Sequence, residues 1–175
     1  MRVLNEHTTP ERWQTYLQQL REGENAALLS DAGTPGISDP GAGFVDQCYQ
    51  EGILVDAIPG PSAVTTALML SGFYAQRFCF LGFLGRKPGA IRSELSLFKD
   101  STMTLVLFES PYRIHQLLGL AYERLGARRY ALCREMTKLH QQVFRETLPA
   151  TPSPQEVPLK GEFTLVIEGK RRSLS

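Results

Sequence analysis

Apolar positions in the first part of the chain change period repeatedly. Trp13, Tyr16, Leu17 and Leu20 recur at intervals of three and four, the spacing of one helical face. Thr8 or Thr9 can cap this helix, with Pro10 at its first position and Gly23 as its stop. The apolar run over 26–30 then predicts a short buried strand. After a glycine- and proline-rich loop, Asp39 can cap a second helix with Pro40 just inside it. Phe44, Val45, Cys48 and Tyr49 form its apolar stripe, and Gly52 ends it. Residues 53–58 predict a second strand. Pro59-Gly60-Pro61-Ser62 then leads into a helix of small residues from Ala63 to Ser71, stopped by Gly72. This alternation of helix and strand argues for a parallel α/β sheet with right-handed crossovers. Both loops leave the carboxyl ends of their strands, the edge where open α/β sheets bind ligands.

The second half has a different rhythm. Strands are predicted over 78–84, 102–109, 130–134, 143–148 and 163–168, and helices over 88–99 and 111–125. A proline-rich surface loop covers 151–158. More strands and fewer helices indicate a mixed-sheet α+β domain. The pattern therefore divides the chain into domains at 1–75 and 76–175. No internal repeat interrupts it.

Composition narrows the class. Apolar residues make up 42% of 175, enough for a core in one domain or in two small ones sharing a cleft. No apolar run reaches 18 residues, so no membrane span is expected, and the start lacks the apolar stretch of a signal peptide. Cys48, Cys79 and Cys133 are odd in number and lack CxxC spacing. They read as reduced thiols of a cytoplasmic protein, not a disulfide frame or zinc site. His7, His115 and His140 stand apart without metal-ligand spacing. The net charge of +1 hides an asymmetry: residues 1–76 carry three arginines against nine acids, and residues 77–175 sixteen bases against nine acids. A basic half makes nucleic acid a candidate partner.

The loop SDAGTPGISDPG, residues 30–41, has neither GxxxxGK[ST] nor GxGxxG spacing. It carries Asp31 and Asp39, and no Lys or Arg occurs between Glu22 and Gln76. Phosphate cradles recruit cations, so a triphosphate fits poorly. Carboxylates accept from ribose hydroxyls and attract an ammonium or a sulfonium, and glycine lets backbone approach a ligand closely. Glu109-Ser110 and the REMTK segment, residues 134–138, also fall at predicted strand ends, where they can face a cleft. Lys170-Arg171-Arg172 reads as a solvated tail.

LLSDAGTPGISDPG, IPGPSAVTTALMLSG, RFCFLGFL, LVLFESPYRI, REMTK and KGEFTLVIEG occur in one order. Together, from about Val3 to Gly169, they resemble the tetrapyrrole-methylase superfamily, and within it the branch that methylates a ribose 2′-hydroxyl of small-subunit ribosomal RNA, here expected to be that of a cytidine. The resemblance implies a two-domain fold that holds S-adenosylmethionine between its domains. It places Asp31, Ala32, Gly33, Thr34, Pro35, Ile37, Ser62, Ala63, Glu109, Met136 and Thr137 at the cofactor, and it requires no metal. The family's usual first strand and its TPIGNL-type loop have no counterpart here. The segment Asn5-Glu6-His7-Thr8 stands where the family has an HEHN-like sequence. The expectation is therefore a truncated parallel N-terminal domain with an uncovered sheet edge, and self-association as a homodimer.

Methyl transfer from a sulfonium is an in-line displacement that depends on positioning, and a ribose hydroxyl needs help to lose its proton. Glu109, Glu135 and Glu162 are the candidate bases. Arg113, Arg134 and Lys138 are the candidate anchors for RNA phosphates. Two alternatives stand beside this reading: C-methylation of a corrin or porphyrin, and a non-catalytic RNA-binding or scaffold remnant.

Overall fold

The structure, a computed structural model, describes residues 8–30 and 33–171. It divides into two compact units, Met1–Ser62 and Ala63–Ser175.

In the first unit, α1 (Pro10–Arg21) and α2 (Ala42–Gln50) meet through aromatic rings. Trp13 and Tyr16 stand edge-on to Phe44, with ring centroids 6.0 and 6.2 Å apart. Gly43 permits this approach, because a Cβ there would lie 3.0 Å from the Trp13 ring. Leu17 is fully buried, and Arg21 pairs with Glu51 at 3.3 Å. The helix predicted from Pro40 begins two residues later, with Gly41 as its cap.

The strands predicted over 26–30 and 53–58 are not formed. Leu29, Leu54 and Ile58 are 81, 92 and 97% exposed. A strand exists through its ladder partner, and among the described residues neither segment has one.

The second unit is a five-stranded mixed sheet. Its elements are α3 (Ala63–Ser71), β1 (Phe78–Phe83), α4 (Pro88–Ser96), β2 (Thr104–Glu109), α5 (Ile114–Leu125), β3 (Arg129–Arg134), β4 (Gln142–Thr147) and β5 (Phe163–Ile167). The spatial order is β1-β2-β5-β3-β4. β1 and β2 are parallel, and α4 makes the crossover that parallel pairing requires. All other pairs are antiparallel. β5 slots between β2 and β3 and is buried on both faces, which explains why FTLVI is apolar at every position but the buried Thr164.

Side chains alternate between two cores. Leu105, Leu107, Leu132, Leu165 and Ile167 pack against Ile91 and Leu95 of α4 and Leu117, Leu118 and Ala121 of α5. Val106, Ala131, Cys133 and Val166 pack against Val64, Ala67 and Leu68 of α3. The division at 1–75 and 76–175 expected from the pattern counts α3 with the first domain, whereas its apolar face packs on the second unit's sheet.

The residues read as a solvated tail are tied to the sheet end remote from Glu109. Lys170 pairs with Asp100 at 2.6 Å, and Arg171 with Glu168 at 3.1 Å. Arg129 also pairs with Glu168. Arg172 lies outside the described residues.

Candidate functional site

The glycine-rich loop of the first unit is a chain of tight turns. Gly33, Gly36 and Ser38 all take positive φ, and the Ile37 amide donates to the Thr34 carbonyl at 3.3 Å. The Thr34 hydroxyl donates to the carbonyl of Pro61 at 2.9 Å. The two loops singled out in the sequence, SDAGTP and PGPS, are thus bonded to one another, and the helix that follows Ser62 begins at Ala63. Pro35 is half-buried and Ile37 is 49% exposed at the loop surface. Asp31 and Ala32 lie outside the described residues.

In the second unit, strand register collects the remaining candidates on one edge. Glu109 pairs with Phe163, Phe163 with Arg134, and Arg134 with Gln142. The ends of β2, β3 and the start of β5 therefore present Glu109, the Glu135–Thr137 turn and Glu162 together.

Glu109 is 3% exposed. Its Oε1 accepts the Ser110 amide at 2.7 Å. Its Oε2 lies 3.3 Å from Arg113 Nη2 but forms no hydrogen bond. That nitrogen donates to the carbonyls of Leu84 and Gly85, at 3.2 and 2.9 Å. A buried carboxylate oxygen with a charge neighbour and no donor is an acceptor in waiting.

Glu135 is differently placed. Its Oε1 takes the Glu162 amide at 2.8 Å and the Lys138 ammonium at 3.2 Å. The Glu162 amide, followed by Lys138, holds this carboxyl below the usual range, so it stays ionised and is a weak base. Its own amide donates back to the Glu162 carbonyl at 3.0 Å. Gly161 makes room for this arrangement, since a Cβ there would lie 2.6 Å from the Glu135 side chain, and its φ is +96°. Glu162 has a largely exposed side chain whose Oε2 lies 3.0 Å from Lys138 Nζ. Glu162 and then Glu135 push the Lys138 ammonium above its ordinary value.

Met136 is half-buried and packs with the core beneath α3. Its neighbours Glu135 and Thr137 have φ of 48° and 65°, a left-handed backbone that costs non-glycine residues about 1–2 kcal/mol each. Such strain persists where surroundings over-determine it, and it gathers at ligand clamps. The Thr137 amide is held by Gln141 Oε1 at 2.6 Å.

The three expected phosphate anchors have unequal freedom. Arg134 is buried, with Nε donating to the Lys160 carbonyl at 2.7 Å and Nη1 to the His140 carbonyl at 3.1 Å. Arg113 serves Glu109 and the 84–85 carbonyls. Lys138 is the most exposed of the three but bridges two carboxylates. Lys160 and His140 were not singled out as site residues in the sequence, because only the fold brings the 158–162 connection against the turn after β3. Among the described residues no cluster of His, Cys, Asp and Glu could hold a metal ion.

This fold is that of a known methyltransferase class. It matches uroporphyrin-III C-methyl transferase from Thermus thermophilus, complexed with S-adenyl homocysteine, at a TM-score of 0.61 and 16% identity, over 90% of this chain and 72% of that one. The chain belongs to the tetrapyrrole (corrin/porphyrin) methylases, whose family pattern covers residues 3–151. It is 44% identical over 168 residues to ribosomal RNA small subunit methyltransferase I of Thermotoga maritima, covering 95% of this chain and 75% of that protein. It is 45% identical over 154 residues to the protein of that name in Mycobacterium bovis, covering 87% of this chain. The chain spans only 54% of that mycobacterial relative.

Proposed function

We propose that the chain is an S-adenosylmethionine-dependent methyltransferase acting on the 2′-hydroxyl of a cytidine ribose in small-subunit ribosomal RNA. The observation that carries this reading is the likeness to the Thermotoga protein, which runs through 95% of the chain and so includes both the loop edge and the sheet edge.

The residues present fit such a cofactor. The base-free glycine-rich loop offers backbone and no cation, and Glu109 offers an acceptor oxygen that no protein donor uses. Gly33, Thr34, Pro35, Ile37 and Ser62 of the first unit, with Asp31 and Ala32, are assigned to the cofactor. So are Ala63, Glu109, Met136 and Thr137 of the second.

When bound, the cofactor supplies a methyl group on a sulfonium. The chain's task would be to hold the ribose oxygen in line with that methyl, opposite the sulfur that leaves as a neutral thioether when the S–C bond breaks, and to take up the hydroxyl proton as the C–O bond forms. Glu109 is the preferred acceptor, because Glu135 is held below the usual carboxylate range and Glu162 is exposed and bridged to Lys138. Arg113 and Lys138 supply positive charge along this edge for RNA phosphates, while Arg134 shapes it.

The exposed Leu29, Leu54 and Ile58 favour a homodimer, and ribosomal RNA as substrate favours the cytoplasm. No described helix is long and apolar enough to cross a membrane. The family pattern keeps a corrin or porphyrin carbon as the second substrate reading.

A calorimetric titration with S-adenosylmethionine tests the cofactor assignment. Saturable one-to-one binding is expected. A folded chain that takes up no cofactor would make it the non-catalytic remnant.

A further inference from the structure

The edge that carries Glu109 also carries a groove between the turn after β3 and the segment before β5. It measures about 350 Å³ and is lined by Arg134, Glu135, His140, Pro158, Lys160 and Gly161. The Arg134 guanidinium, 8% exposed as a residue, bonds to the backbones of two separate connections, at the Lys160 carbonyl (2.7 Å) and the His140 carbonyl (3.1 Å). It therefore clamps the turn after β3 to the segment before β5 and sets both residues along the groove. Among the described residues, neither the Lys160 ammonium nor the His140 ring has a hydrogen bond or ion pair with another side chain.

The single acid in the wall is answered locally, since Glu135 Oε1 already takes Lys138 and the Glu162 amide. What remains are donors and positive charge without an acceptor, the chemistry of an anion site. Pro158, Lys160 and Gly161 are exposed, so the groove is open to solvent along the segment before β5.

We propose that this groove seats a phosphodiester of the RNA substrate, with Lys160 and His140 as its donors and Arg134 as the positioning residue that sets them. The inference rests on the ribosomal RNA reading and deepens it.

The test uses the full chain and deproteinised, fluorescently labelled small-subunit ribosomal RNA, with binding followed across a salt series. Lys160→Glu is expected to weaken binding about tenfold at low salt. It should also flatten the plot of log affinity against log salt by about 0.7–0.9, one phosphate contact. His140→Ala is expected to cost about threefold, and Lys99→Glu, at the sheet end remote from Glu109, less than twofold. Cofactor affinity and thermal midpoint should not move in Lys160→Glu, and Lys160→Gln should fall between it and the parent. If the parent binds RNA and Lys160→Glu matches its affinity and salt slope, the groove assignment is overturned alone. A parent that binds no RNA overturns the RNA reading, and this proposal with it.

Discussion

Replacing Arg134 by Met isolates the clamp. The substitution keeps a long apolar stem in the buried position and deletes both charge-assisted bonds, to the Lys160 and His140 carbonyls. Hydrogen bonds to a charged group contribute roughly 1.5–3 kcal/mol each, so the pair sums to about 3–6 kcal/mol. Lys160 and His140 are both exposed, and their carbonyls can return to water. The net loss therefore falls near 2–3 kcal/mol. For a unit of this size that corresponds to a drop in Tm of about 8–12 °C. Urea unfolding followed by circular dichroism should show a lower midpoint with an unchanged slope. Because the clamp holds the turn carrying Met136 and Thr137, cleavage by trypsin after Lys138 should accelerate and cofactor affinity should fall. Arg134→Lys, able to keep one of the two bonds, should lie between. A Met variant within about 0.5 kcal/mol of the parent, with cofactor affinity intact, would refute the clamp.

Three further outcomes follow from local geometry. A Cβ at Gly169 would overlap the backbone carbonyl of Thr102, which cannot yield, whereas one at Gly119 in α5 meets nothing within 4 Å. Gly169→Ala should cost about 2–3 kcal/mol by overpacking and Gly119→Ala should gain about 0.5–1 kcal/mol of helix stability, both read from urea midpoints; equal effects would contradict the packing described. The Arg129 hydrogen bond, with further help from Arg171, holds Glu168 below its ordinary 4.5. The stability this contributes is present above about pH 4.5 and lost as pH falls through the folded value. The midpoint difference between parent and Glu168→Gln should thus shrink on acidification from pH 6 to pH 3. Glu109→Gln keeps an oxygen that can accept a hydrogen bond from the cofactor but cannot take the ribose proton, so it should slow methyl transfer at least about 100-fold with cofactor affinity within about threefold; a loss confined to cofactor affinity leaves only the cofactor role, and no change in either rejects both roles.

The legible parts of the fold are those with strong local signals. Gly72 and Gly126 end α3 and α5 where their backbones turn to positive φ, and LVLF and FTLVI announce strands buried on both faces. The unformed strands over 26–30 and 53–58 show the limit: apolar residues state a need for burial, but a ladder needs a partner that no local pattern supplies. The site was legible as a set of loops. That Thr34 bonds to Pro61, that Glu135 is held by the Glu162 amide, and that Arg134 turns inward to the Lys160 carbonyl depend on contacts across 26 or more residues, invisible to spacing. His140 has no partner at metal-ligand spacing in the sequence and is exposed in the structure; only the fold puts it in one groove with Lys160.

The most direct test of the central claim is transfer of a labelled methyl group from S-adenosylmethionine by the purified chain, offered small ribosomal subunits in one reaction and uroporphyrinogen in another. The account predicts label in small-subunit RNA, recovered after alkaline hydrolysis in a dinucleotide that a 2′-O-methyl group protects from cleavage, and none on the tetrapyrrole. Label on uroporphyrinogen, or no RNA label from a folded chain that binds both cofactor and RNA, would contradict it.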